Sequence, residues 1–586
     1  MHPVPSLCVG PYSGRRKFVQ GLAAGGALAM LGYWPGRLLA ETSSIPELHG
    51  SDFNLEIAPA VVNYTGKPRL ATAINGSVPA PVLRWRQGDR VTLSVTNRLN
   101  ETSSIHWHGI ILPSGMDGVP GLSFDGIPPH STFIYEFWVQ QAGTYWYHSH
   151  SRFQEQTGMY GAIVIEASDP EPFSYDRDYV VMLSDWTDED PMKVFSNLKK
   201  DSDYYNYQRR TLADIRQDIR ETGFAQTRRD RRMWNQMRMS DRDVSDVSGE
   251  TYTFLINGLT PVANWTAPFS RGERVRLRFI NGSAMTYFDV RIPGLEMTVV
   301  AADGQNIEPV TIDEFRIAVA ETFDVIVAPQ ADQAYTLFAQ AIDRSGYARG
   351  TLTPDPALTA EVPDLDPAPR LGHLDMAMGP MEQGAMSHAV AEDDQVSGAA
   401  VTDHAGMDHA AAAIVTHDRS ERGPGVAMRA ESPQSKLDDP GIGLRDRPWR
   451  VLRYADLRHL GPSPDPREPE REVELHLTGN MERYMWSFDG VQFSLAGPIQ
   501  ARYNERLLIT LVNDTLMNHP IHLHGMWSEV ETGDDSQLPR KHTVNVQPGQ
   551  KISFRVTTNA LGRWAFHCHL LYHMEAGMFR VVEVEP

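Results

Sequence analysis

Gly562-Arg563-Trp564-Ala565-Phe566-His567-Cys568-His569 lies near the C-terminus and is followed by His573 and Met578. Read as a β-strand, it sends successive side chains to opposite faces. Cys568 then points one way, and His567 and His569 the other. One thiolate serves one metal site and two imidazoles serve another, a few covalent bonds apart. A thiolate, two imidazoles and a weak thioether are the ligand set of a blue-copper electron-transfer site. Cys568 is the one cysteine beyond the first forty residues.

Three more clusters carry H-x-H pairs: His106-Trp107-His108-Gly109, His148-Ser149-His150, and His519-Pro520-Ile521-His522-Leu523-His524-Gly525. On a strand, residues i and i+2 share a face, as two ligands of one cluster must. A single pair reads as an ordinary surface strand. Four pairs, counting the one around Cys568, point to metal. Structural zinc sites usually group Cys and His at close spacing, which this pattern lacks.

Working outward, the chain repeats itself. Ile74-Asn75-Gly76 leads to Gly88-Asp89-Arg90-Val91-Thr92-Leu93-Ser94-Val95-Thr96-Asn97. Ile256-Asn257-Gly258 leads to Gly272-Glu273-Arg274-Val275-Arg276-Leu277-Arg278-Phe279-Ile280-Asn281. Phe488-Asp489-Gly490 leads to Asn504-Glu505-Arg506-Leu507-Leu508-Ile509-Thr510-Leu511-Val512-Asn513. Each copy is a turn followed by an alternating, half-buried strand. Three copies predict three β-domains of one kind plus insertions.

A second repeat pairs the two ends. Gly143-Thr144-Tyr145-Trp146-Tyr147-His148-Ser149-His150 parallels Gly562 to His569, with Ser149 opposite Cys568, Gln154 opposite His573, and Met159 opposite Met578. His106 and His108 match His522 and His524, while Ser103 falls opposite His519. The first domain therefore keeps four histidines but lacks three of the four thiolate-site ligands. The simplest geometry has domains one and three facing each other, with four histidines from each in a shared cluster. Eight histidines suit three metal ions better than one.

With these motifs the chain resembles a multicopper oxidase, and within that family the bacterial copper-resistance protein A group. The closer likeness rests on Tyr572-His573-Met574-Glu575-Ala576-Gly577-Met578, a Met/His-rich insertion, and a helical insertion after Trp186. The resemblance implies an all-β fold of three cupredoxin-like Greek-key barrels. They are expected over residues 46–168, 170–350 and 449–586, with a helical insertion at 196–239 and a flexible Met/His-rich linker at 351–448. It implies four copper ions. His519, Cys568, His573 and axial Met578 match the type 1 ligands, and His106 and His522 the type 2 ligands. His108, His148, His150, His524, His567 and His569 match the type 3 pair.

Asp117, in Gly115-Met116-Asp117-Gly118-Val119-Pro120, matches the family's acid near the type 2 copper; an Asp-Gly pair is also an ordinary turn. Many multicopper oxidases carry a second acid directly after the type 1 histidine. Here Met574 stands there, and Glu575, the other candidate proton donor, comes one residue later.

Residues 1–40 read as a twin-arginine export signal, with Arg15-Arg16-Lys17-Phe18, an apolar stretch from Gly21 to Leu31, and Leu38-Leu39-Ala40. That stretch is too short for a membrane span of ~20 residues. A periplasmic protein is expected, without a disulfide, because Cys8 lies in the signal. A net charge of −20 argues against a nucleic-acid partner.

Two insertions interrupt the barrels. Residues 196–239 are polar, with Leu212, Ile215 and Ile219 at helical spacing and methionines at 233, 237 and 239. These predict a solvated helical hairpin, its methionines either covering the barrel or serving metal. The stretch from His373 to His409 gathers Met376, Met378, Met381, Met386, His388, His404, Met407 and His409. Thioethers and imidazoles suit Cu(I), so extra Cu(I) is expected there.

The leading expectation is oxidation of Cu(I) outside the cytoplasm, coupled to reduction of dioxygen to water, with Cys568 carrying electrons to His567 and His569. Laccase-type oxidation of small phenols is the second reading, and copper sequestration without turnover is the third. Periplasmic copper-handling proteins are the expected partners.

Overall fold

The computed structural model describes residues 45–237, 240–377 and 415–586. The export signal, Cys8, and the Met/His-rich stretch from Met378 to His409 lie outside the described residues. Among the described residues the fold is mainly β, as expected, with six sheets arranged in three successive pairs.

The three sequence repeats become three copies of one local structure. Asn75-Gly76, Asn257-Gly258 and Asp489-Gly490 all have positive φ at both positions. That is the type I′ hairpin geometry, which Asn, Asp and Gly tolerate best. Each turn is closed by the same side-chain bond. Asn75 Oδ1 accepts from the Glu56 amide, Asn257 Oδ1 from Met182, and Asp489 Oδ1 from His476, at 2.7, 2.7 and 2.8 Å.

The alternating strands that follow are Arg90–Asn97, Val275–Asn281 and Arg506–Asn513. Each pairs in parallel with the strand that opens its repeat, one strand earlier than the one running into the turn: Asp52–Val62, Arg177–Trp186 and Arg471–Asn480. The terminal Asn97, Asn281 and Asn513 turn their amides onto backbone carbonyls of the following loop.

Two strand pairs carry the histidine motifs. His106–His108 runs antiparallel to Gly143–His148, with His106 opposite His148. His519–Leu523 runs antiparallel to Gly562–Cys568, with His522 opposite His567.

The middle pair of sheets contributes no motif histidine but grips the third. Lys541 is fully buried, 3.0 Å from both Asp303 Oδ2 and Glu321 Oε1, which are themselves buried. Asp303 Oδ2 also accepts from the amides of His542 and Thr543.

The helical insertion comprises Pro191–Leu198, Leu212–Thr222 and Phe224–Met237. Asp190 caps the first through the Met192 amide, and Thr211 with Asp214 forms a capping box on the second. The first helix lies against the segment bearing His573: Phe195 stacks on Tyr572, and Lys199 Nζ donates to the Tyr484 carbonyl at 2.7 Å. Met239 lies outside the described residues.

Within the span expected to be a flexible linker, residues on both sides of 378–414 hold defined positions. Strand Tyr347–Thr353 crosses the expected boundary at residue 351. Asp366 binds Arg291 and Arg447, Asp375 binds Arg445, and Lys436 Nζ donates to the carbonyls of Leu374 and Pro548. Short-range charge pairing, invisible to composition, ties these flanks down. No helix among the described residues is long and apolar enough to cross a membrane.

Candidate metal centres

Strand alternation does at Cys568 what its sequence predicts. The Cys568 Sγ lies 3.5 Å from His519 Nδ1 and 3.8 Å from His573 Nδ1, and those two nitrogens are 3.3 Å apart. Met578 is buried beside them, and its backbone carbonyl and amide bond Cys568 and His573. The outer nitrogens of both imidazoles are held. Thr515 Oγ1 is 2.8 Å from His519 Nε2, and Asp246 Oδ2 is 2.8 Å from His573 Nε2. Asp246 comes from the segment that leads from the helical insertion back to strand Thr253–Ile256, and also accepts from the Tyr484 hydroxyl at 2.7 Å. No motif marks it in the sequence.

His567 and His569 point the other way, into a cluster that holds all eight remaining motif histidines. Four come from residues 106–150 and four from residues 522–569. The two halves interleave: His106 stacks on His524 at 3.9 Å and His108 on His522 at 3.8 Å between ring centroids. Facing Nε2 atoms lie 3.0 Å apart for His524 and His567, 3.4 Å for His150 and His567, and 3.3 Å for His148 and His569.

The imidazole edges of His106, His567 and His522 that face away from the cluster are bonded to backbone carbonyls. His106 Nδ1 donates to the Asp117 carbonyl at 2.8 Å and His567 Nδ1 to the Cys568 carbonyl at 2.9 Å. His522 Nδ1 donates to the His542 carbonyl.

The donor chemistry fits copper. Burial, reinforced by neighbouring imidazoles, pulls His108, His148, His150, His522, His524 and His569 well below the usual histidine range. Burial likewise takes His567 down to about 4. Neutral rings facing one another at 3.0–3.4 Å oppose lone pairs, which a shared cation relieves. The buried Nε2 atoms of His106 and His522 have no hydrogen-bond partner, an arrangement a ligand normally explains. Burial also pushes the Cys568 thiol up, so only a cation in contact would keep it a thiolate.

Two carboxyls touch the cluster. Asp117 is buried, and its Oδ2 lies 2.8 Å from His524 Nδ1 while its Oδ1 is 3.3 Å from His106 Nδ1. Glu155, which sequence reading missed, lies 2.6 Å from His148 Nδ1 and is buried by a different route, in the loop after His150. A ninth imidazole was also missed: His542 Nδ1 is 3.2 Å from His108 Nε2. Neither has a repeat partner or a motif to signal it.

The structure places Glu575 at the surface. It ends the short helix Leu571–Glu575 and faces solvent. It stands on the wall of a cleft of about 890 Å³, with Lys199, Phe493 and Arg563, and His150 also lines this cleft. Two residues beyond the buried His573, at the end of the helix, the carboxyl faces outward. His150 is the one member of the eight that is only partly buried, its ring reaching the cleft.

Comparison with known proteins agrees with this architecture. Family models described as multicopper oxidase match residues 56–170, 224–357 and 466–586. A copper resistance protein A homolog of Pseudomonas syringae pv. tomato is 57% identical over 97% of this chain and 99% of its own length. Copper resistance protein A of Escherichia coli is 54% identical over 97% of this chain and 99% of its own. Among solved structures, Fet3p, a multicopper oxidase that functions in iron import, superposes with a TM-score of 0.62 at 19% identity. That match covers 92% of this chain and 91% of Fet3p, and shows the shared fold.

Proposed function

The chain belongs to the multicopper oxidase family, and from that premise we propose that it oxidises Cu(I) in the periplasm as a defence against copper, passing the electrons to dioxygen. The observation that carries this reading is the His567-Cys568-His569 junction. One thiolate faces a three-donor site, and its two chain neighbours face the eight-imidazole cluster. Bound copper supplies one-electron redox chemistry at the thiolate site and four-electron reduction of dioxygen at the cluster.

In this reading His519, Cys568, His573 and Met578 hold the first ion. His106 and His522 hold the type 2 ion, and His108, His148, His150, His524, His567 and His569 hold the type 3 pair. Partnerless ring nitrogens on His106, His522, His108 and His569 are consistent with ligands in both groups. Cys568 links the two sites through single peptide steps on either side. Asp117 grips His106 and His524 and holds a carboxyl where water-forming chemistry needs protons. The cleft lined in part by His150 is the route for dioxygen and water.

Cu(I) is favoured over phenols by the cover on His573. The ring is fully buried, stacked on Trp486 at 3.9 Å, so no aromatic substrate can lie on it. Its outer nitrogen meets Asp246, and a row of acids leads outward from there. Burial and the charges of Asp203 and Asp246 push Asp243 up, and Asp243 shares a hydrogen bond with the partly exposed Asp203. A small cation can use such a path; a phenol ring cannot. Steady-state oxygen uptake with Cu(I) and with a small phenol tests the choice. Faster turnover of the phenol would make the protein a laccase in function, and no copper-dependent uptake would make it a store.

A further inference from the structure

A second group of metal-type side chains lies apart from both centres. His417 and Glu421 sit on the segment where the chain re-enters the third pair of sheets. His476 lies on strand Arg471–Asn480, and Asp514 directly follows strand Arg506–Asn513. Their side chains are 9, 3, 5 and 0% exposed. His417 Nδ1 is 2.7 Å from Glu421 Oε2 and 3.7 Å from Asp514 Oδ2. His476 Nδ1 is 2.8 Å from the same Asp514 oxygen and 3.5 Å from the same Glu421 oxygen.

We propose that His417, Glu421, His476 and Asp514 form a further site for a divalent transition cation of the Zn(II) or Cu(II) type. Four donors at tetrahedral corners, with bonds of ~2.0–2.1 Å, stand about 3.3 Å apart. The four distances, 2.7 to 3.7 Å, bracket that value. The outer shell is built as well. His417 Nε2 lies 3.3 Å from the Ala430 carbonyl and His476 Nε2 3.5 Å from Glu474 Oε1. Each ring thus spends its outer N–H on an acceptor and turns Nδ1 inward, the habit of a ligating histidine. Asp514 Oδ1 is fixed by the Ala430 amide at 2.7 Å, leaving Oδ2 for the centre.

A cation that displaces the protons from both Nδ1 atoms meets two inward nitrogens and two carboxylate oxygens, four acceptors in a buried space. One divalent cation neutralises both carboxylates, and imidazole with carboxylate suits zinc and oxidised copper. None of the four residues belongs to the thiolate site or the cluster. Asp514 adjoins Thr515, which bonds His519, so the site sits one residue behind that centre's support.

The test uses the full chain loaded with no more than four equivalents of copper, the number that the thiolate site and the cluster take, so that added zinc finds the remaining site free of copper. After dialysis against buffered Zn(II), metal analysis should give one zinc per chain more for wild type than for the Glu421→Gln, His476→Gln variant. Zn(II) should raise the melting temperature of wild type and leave the variant unmoved. Anomalous diffraction at the zinc edge from wild-type crystals should show a peak bonded to both Nδ1 atoms. That map decides alone if the variant fails to fold. Equal zinc in both proteins, or no peak between His417 and His476, would overturn the site and leave two protonated imidazole–carboxylate pairs.

Discussion

Asp246 Oδ2 and His573 Nε2 are 2.8 Å apart, both fully buried, and they join the segment after the helical insertion to the thiolate site. The contact fixes the ring's tautomer and turns Nδ1 toward Cys568. Removing such an outer-shell partner commonly costs 10–100-fold in activity or metal affinity. Asp246→Asn should therefore keep the blue absorption band but lower Cu(I) oxidation by roughly that factor, with phenol oxidation falling less. Steady-state rates with the two substrates check this. Equal losses for both would reduce Asp246 to a scaffold for His573.

Cys568→Ser should abolish the intense blue band and turnover together, because that band needs a copper–thiolate bond. The eight imidazoles do not depend on the thiol, so metal analysis should still find the cluster ions. A serine variant that stayed blue would refute the ligand assignment.

Asp117→Asn should slow reoxidation of the reduced protein by oxygen, by about 100–10,000-fold, while reduction by Cu(I) keeps its rate. The carboxyl touches His106 and His524 and is remote from the thiolate site, so the two half-reactions separate. Stopped-flow traces of each resolve them. An unchanged oxygen step would return Asp117 to the role of a turn residue.

The pH dependence of stability has one readable contributor at Asp366. Burial raises its pKa, but hydrogen bonds from Arg447, Arg291 and Gln340 outweigh that and bring it down to about 2. A carboxyl depressed in the folded state adds stability that is present above its unfolded value of about 3.9 and is lost as pH falls through about 2. Asp366→Asn should lower stability by about 1–2 kcal/mol at neutral pH, allowing for partial exposure. The gap from wild type should close between pH ~4 and ~2. Unfolding curves across that range measure it; a gap indifferent to pH would point to packing instead.

Deleting residues 378–409 should impair Cu(I) oxidation more than phenol oxidation, because thioethers tethered to the same chain would raise the effective concentration of a soft cation. The deletion begins after Ala377, since Asp375 is anchored by Arg445 and its loss would disturb the third pair of sheets. Matching losses for both substrates would make the stretch a plain connector.

Most of the architecture was legible because it is periodic. The turn-and-strand repeat reappears as three I′ hairpins with the same closing bond, and the two end repeats become the two halves of the cluster. Strand alternation also separated Cys568 from its neighbours correctly. The residues that escaped act singly from distant loops. Asp246, Glu155 and His542 reach the centres only because the sheets bring remote segments together. Glu575 lies two residues beyond His573, yet the short helix buries His573 and leaves Glu575 facing solvent, a difference that sequence spacing alone did not show.

The buried Lys541 has a bearing on how the protein is made. Its ammonium belongs to the third pair of sheets, but both balancing carboxylates, Asp303 and Glu321, belong to the second. A C-terminal fragment expressed alone would carry that charge without its partners, a defect of about 3–5 kcal/mol next to His542 and the cluster. Synthesis places the middle region ahead of the last one, so the acceptors are already folded when Lys541 leaves the ribosome. The histidine-free middle region thus acts as the assembly template on which the last half of the copper cluster closes.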